Sequence, residues 1–92
     1  MNTTIIDFSR IGTTKDLYKS LSNQWQLPDY FGNNLDALWD VITGYITLPQ
    51  SLSFINLSLP QLEEFENFID LFEEAQEELG TSFEFSYSLK KE

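Results

Sequence analysis

Apolar residues at Leu35, Leu38, Trp39 and Ile42 recur at the i, i+3, i+4, i+7 spacing of one buried helix face. With Asn33 as its cap and Gly44 at its end, this pattern predicts a helix running to about Thr43. A similar stripe of Leu17, Tyr18, Leu21 and Trp25 predicts an earlier helix, begun by a capping box of Thr13 and Asp16. The longest stripe, Leu62, Phe65, Phe68, Ile69, Phe72, Ala75 and Leu79, predicts a helix from Gln61 to Leu79, stopped by Gly80. Elsewhere the period changes to two. Phe83, Phe85, Tyr87 and Leu89 alternate with Ser82, Glu84, Ser86 and Ser88, so one side of a final strand is expected to be dry and the other wet. β-branched residues from Thr4 to Phe8, turned by Arg10 to Gly12, predict an opening strand. A further strand is expected over 51–59, bounded by Pro49 and Pro60.

Strands separated by helical segments pair in parallel through crossovers. The expected fold is therefore α/β: a three-stranded parallel sheet with helices packed on one face. Ninety-two residues with 41% hydrophobic content, including eight Phe, four Tyr and two Trp, suffice for one core, and residues 1–92 are expected to form a single domain. Repeats, linkers and low-complexity segments are missing from the pattern.

Charge changes the picture more than composition does. Fifteen acids against five bases give a net charge of −10. The bases are confined to Arg10, Lys15, Lys19, Lys90 and Lys91, so no Lys or Arg lies between residues 20 and 89. Such a surface makes nucleic acid and anionic membrane poor partners and a basic macromolecule a good one. Acidity for solubility alone would still have allowed the i, i+4 acid–base pairs that stabilise exposed helices, and these are missing.

The sharpest case is Asp36 and Asp40. At about 100° per residue they fall about 110° and 150° from the centre of the helix's apolar face, open to solvent beside Trp39. Asp36 has two readings, since an acid in the first turn is also favoured by the helix dipole. Asp40 lies a turn further in, where that benefit has faded, and the two charges repel by about 0.7 kcal/mol at a separation of about 6 Å in water. The repulsion vanishes when a cation docks between them. Trp39 fits a core boundary or a contact, and so does Tyr30 in the preceding loop. Glu73, Glu74, Glu77 and Glu78 read as a solvated face from which none stands out.

Catalysis finds little support. The chain has no Cys and no His, which removes the usual nucleophiles, bases and soft metal ligands, and its four glycines are scattered without a phosphate-cradling pattern. An exposed carboxylate pair could serve a glycosidase or hold Mg²⁺ or Ca²⁺, but lacks an evident cleft to raise one pKa. No catalytic residue, metal or cofactor is expected. The first residues lack a secretion signal and no stretch approaches a membrane span, so a cytoplasmic location is expected.

The stretch LPDYFGNNLDALWDVITGY, Leu27 to Tyr45, resembles the signature of the barstar family of ribonuclease inhibitors at its Leu-Pro, Tyr, Gly, Asn-Leu-Asp-Ala-Leu-Trp-Asp and Thr-Gly positions. The order of strands and helices agrees with that family over nearly the whole chain. Phe31 and Tyr45 depart from its usual Tyr and Trp. The resemblance implies an inhibitor, monomeric when free, that plugs the active site of a small basic, barnase-like ribonuclease. Asp40 would stand where an RNA phosphate sits and Asp36 would meet a second basic group. Tyr30, Asn34, Trp39, Thr43 and Gly44 would complete the contact surface. Glu74, in the family-like FEEA segment, would add a further acidic contact. The alternative is a barstar-like adaptor or immunity protein that binds some other basic protein or toxin.

Overall fold

A computed structural model describes residues 2–28 and 32–91. Strand β1 (Asn2–Asp7) leads through a 3-10 turn (Phe8–Arg10) to helix α1 (Thr14–Trp25). Helix α2 (Leu35–Gly44) and strand β2 (Gln50–Leu57) follow. Then come α3 (Leu59–Glu64), α4 (Glu66–Leu79), a 3-10 turn (Gly80–Ser82) and strand β3 (Phe83–Leu89).

The sheet has the order β1-β2-β3 with both pairs parallel. Its two faces differ as the period-two patterns require. Thr4, Leu52 and Phe85 lie in one row of the register and are buried, whereas the adjacent row of Ile5, Ser53 and Ser86 is exposed or half-buried. On that outer face the Ser53 and Ser86 hydroxyls share a 3.0 Å hydrogen bond. The helices cover the other face, as expected. There the core is aromatic: Phe54 meets Phe8 with ring centroids 4.6 Å apart, Phe85 at 5.1 Å and Phe72 at 5.5 Å. Edge-to-face contacts of this kind add to the area they bury.

The helix starts follow the local chemistry of the chain. Thr13 and Asp16 form the reciprocal capping box expected of them. In α2 the cap is Asn34 rather than Asn33: its Oδ1 accepts from Ala37 N at 2.8 Å, which makes Asp36 the second helical residue. Two adjacent asparagines offer the same side-chain acceptor, and sequence alone does not choose between them.

Three expectations are corrected. The helix expected over 61–79 is two helices, because Ser58 and Gln61 form their own capping box and Pro60 sits in the first turn, where a proline starts a helix. Gln61 also donates to Phe8 O at 3.0 Å and Ile11 O at 2.8 Å, which fixes α3 against the turn after β1. The chain changes direction at Phe65, fully buried between the helices, so the apolar stripe runs unbroken across the bend. The strand expected over 51–59 ends at Leu57, after an irregularity at which Asn56 takes a φ of +60°. Asn accepts that left-handed conformation more readily than most residues, and its Nδ2 donates to Asp7 Oδ1 at 3.0 Å. Finally, the dry face of β3 stops short: Tyr87 and Leu89 are 44% and 46% exposed, since this edge strand runs on beyond the cover of α4.

Candidate functional site

Helix α2 is held by its buried residues Leu38, Val41 and Ile42, which leaves the opposite side free. Asp36, Asp40, Thr43 and Gly44 are all exposed on it, and Trp39 is half-buried. Among the described residues, neither Asp36 nor Asp40 has a side-chain hydrogen bond or ion pair. The two acids are therefore exposed and not locked to any base among the described residues.

Helix α4 packs beside α2 and adds a second rank of acids. Between the two helices lies an open cleft of about 300 Å³. Leu35, Trp39 and Leu71 give it an apolar lining, Asn67 a polar one, and Asp36, Asp70 and Glu74 bring carboxylates from both sides. Glu74 thus stands across the cleft from Asp36 and joins the same surface. Asp70 and Asn67 were not singled out from sequence. The signal was present for Asp70, because Asp70 and Glu74 repeat at i, i+4 the unanswered acid pair of Asp36 and Asp40.

The remaining residues divide by how much of each side chain the fold uses. Asn34 spends its Oδ1 on the helix cap and keeps its NH₂ group. Thr43 donates its hydroxyl to Trp39 O at 2.8 Å, which leaves it only acceptor capacity. A side chain at Gly44 would meet nothing within 4 Å, so the end of α2 is a bare surface that another backbone can approach closely. Tyr30 lies outside the described residues.

Two other aspartates mark the contrast. Asp7 Oδ1 accepts from Asn56 Nδ2 and from Ser9 N and Oγ, at 3.0, 3.0 and 2.7 Å. Those bonds, Asn56 first, hold its carboxyl down at about 2. Asp16 Oδ2 accepts from Gly12 N at 2.9 Å and Thr13 N at 3.1 Å, and its pKa is lowered chiefly by the Gly12 bond. The fold ties these two down by hydrogen bonds, whereas Asp36 has only its place in the first turn of α2 and Asp40 no side-chain hydrogen bond among the described residues.

No group of three or more His, Cys, Asp or Glu among the described residues is placed to hold a metal ion, and none of their helices is long and apolar enough to cross a membrane. What the surface can do is attract and hold cations. Three carboxylates around a tryptophan suit a guanidinium, whose contact with an indole face adds about 0.5–2 kcal/mol depending on desolvation.

The molecule is thus an acidic α/β protein that presents unpaired carboxylates on two adjacent helices. Residues 1–90 match the family described as barstar (barnase inhibitor), and the chain belongs to that family. A relative in Bacillus subtilis (strain 168), named "Putative ribonuclease inhibitor YrdF", is 35% identical over 86 residues, covering 90% of this chain and 94% of that protein.

Proposed function

We propose that this protein inhibits a basic ribonuclease by seating α2, with the loop before it and the facing side of α4, in the enzyme's RNA-binding groove. The observation that carries the reading is the pair of exposed carboxylates, Asp36 and Asp40, with no partner among the described residues of their own chain. Membership of the barstar family and the name of the Bacillus relative support the same reading.

In the proposed mechanism Asp40 occupies a phosphate position and accepts charge-assisted hydrogen bonds from the nuclease's basic residues. Asp36, Asp70 and Glu74 receive a second cationic side chain in the cleft, with its flat face against Trp39. Asn34 NH₂ and the Thr43 oxygen offer a donor and an acceptor at the rim, Gly44 lets the partner's backbone close in, and Tyr30 enters on the resemblance alone. Because the carboxylates are fixed on helices packed into the core, little ordering is needed at binding, and the substrate's site is filled by a surface that has no scissile bond. The protein takes no part in chemistry and needs no cofactor.

The test is an RNA-cleavage assay. A small basic secreted ribonuclease encoded beside this protein's gene, or captured from the native cell, is titrated with the wild-type protein and with an Asp36→Asn, Asp40→Asn double variant. Stoichiometric inhibition by the wild type and its loss in the folded variant are the expected results. Equal inhibition by both would remove the two aspartates from the mechanism. Tight binding of a basic protein without effect on RNA cleavage would favour an adaptor or immunity role instead.

A further inference from the structure

Only two buried polar residues occur among the described residues, Thr4 (5% exposed) and Gln50 (4%), and they touch each other. Gln50 Nε2 donates to Thr4 Oγ1 at 2.8 Å and to Ser51 O at 2.9 Å, which fixes the orientation of the amide. Thr4 Oγ1 accepts a second hydrogen bond, from the Trp25 indole at 2.9 Å. With both acceptor positions filled, the Thr4 hydroxyl proton has no acceptor among the described residues, and Gln50 Oε1 has no donor. Both side chains line a cavity of about 540 Å³ at the start of β1 and β2, together with Trp25, Tyr45 and Thr47. None of Asp36, Asp40 and Glu74 lines it.

A structural role accounts for part of this cluster. The Trp25 N–H needs a buried acceptor, and Thr4 supplies it. Gln50 is not required for that, and an aliphatic residue at this position of β2 would continue the core formed by Leu52 and Phe54. What Gln50 adds is an unmatched carbonyl oxygen beside an unmatched hydroxyl proton, at an opening to solvent. No partnerless side-chain oxygen or nitrogen among the described residues is sealed from solvent, so the Gln50 carbonyl is reached through this opening and an incoming molecule can pair with it and with the Thr4 hydroxyl in place of water. The cavity also stands apart electrically: in a chain of net charge −10 it is lined by no charged residue. Its size lies within the range of small-molecule sites.

We propose that this cavity binds a small uncharged molecule presenting an amide or lactam edge, as a nucleobase does. The ligand's N–H donates to Gln50 Oε1, its carbonyl accepts from Thr4 Oγ1–H, and the rings of Trp25 and Tyr45 offer apolar contact. The inference is independent of ribonuclease inhibition.

Uracil titrated into the full-length ¹⁵N-labelled protein tests it. Saturable shifts are expected at the Thr4, Thr47 and Gln50 amides and at the Trp25 indole N–H. Gln50→Leu and Thr4→Val each remove one polar partner with little change of shape, and each should weaken binding at least ten-fold. Should either fail to fold, the exposed Thr47→Trp change fills the mouth of the cavity without touching the buried pair and should abolish the shifts. Uridine 5′-monophosphate should bind at least ten-fold more weakly than uracil, because its phosphate meets a strongly negative molecule. The proposal is overturned by an absence of saturable shifts up to the solubility limit of uracil, by unchanged affinity in a folded Gln50→Leu protein or in Thr47→Trp, or by equal binding of the monophosphate.

Discussion

Helices α1 and α2 begin alike and treat their first-turn aspartates differently. In α1, Asp16 reaches back to the backbone N–H groups of Gly12 and Thr13, and its carboxylate belongs to the capping box. In α2, Asn34 caps alone; among the described residues Asp36 reaches back to nothing, and Asp40 a turn later has no partner either. Asp7, at the end of β1, falls with Asp16: Asn56 and Ser9 hold it. The molecule therefore contains carboxylates that the fold uses and carboxylates that it leaves over. Net charge does not distinguish them, since each contributes the same −1. Hydrogen-bond partners do, and on that difference rests the view of α2 as a surface made for another molecule.

The comparison can be broken most forcefully through salt. Between about 0.01 M and 1 M ionic strength the Debye length falls from about 30 to 3 Å, and the association rate with a basic nuclease should drop about 10- to 1000-fold, read by stopped-flow fluorescence. Stability should not fall in step, because Asp7 and Asp16 act through short hydrogen bonds. A single carboxylate carries the next effect. Asp40→Ala should weaken the complex by at least about 2 kcal/mol, about thirty-fold, which is the scale that defines an interface hot spot. Glu63→Ala, an exposed acid on α3, should scarcely register in the same calorimetric titration. If Asp40→Ala instead lowers the thermal midpoint while affinity holds, the assignment of the two classes is reversed.

The used carboxylates make the opposite prediction, through acid. Asp7 and Asp16 both have pKa values below the ordinary 3.8 in the folded state, Asp7 down to about 2. A group whose folded pKa is depressed stabilises the fold fully above its unfolded value and loses that contribution as pH falls through the folded one. The thermal midpoint should therefore decline from about pH 4 toward pH 2. In Asp7→Asn the midpoint should start lower at neutral pH and decline less steeply.

How much of this could be read from the chain follows the same division. The capping box of Thr13 and Asp16 was legible because both partners lie within four residues, and so were the strands, whose faces alternate. The break at Phe65 was hidden because an apolar stripe continues through a bend when the residue at the bend is itself buried. The exposure of Tyr87 and Leu89 was hidden because alternation reports which side a residue faces, while only the length of α4 decides whether anything covers it. Within the site, Asp36 and Asp40 could be found as like charges at helical spacing. Asp70 carried the same signal against Glu74 but required the packing of α4 on α2 to acquire meaning. The bonds that hold Asp7 also lay out of reach, since Asn56 is 49 residues away.

The smallest expected effect divides the two classes most cleanly. Asp40→Lys places a base four residues after Asp36, with the acid toward the helix N-terminus, which is the favourable order for an i, i+4 pair. It removes one repulsion and adds one attraction, each of a few tenths of a kcal/mol, and it brings a positive charge toward the negative end of the α2 dipole. The gain should be about 0.5–1 kcal/mol, a rise of about 2–8 °C in the thermal midpoint for a domain of this size. Binding to a cationic groove should be lost in the same variant, because the charge that met a base now repels it. A protein made more stable and less able to bind by one substitution is the expected signature of a residue kept for its partner. Were the midpoint to fall instead, Asp40 would have a structural role, and the distinction between carboxylates used by the fold and carboxylates left over would fail at its central residue.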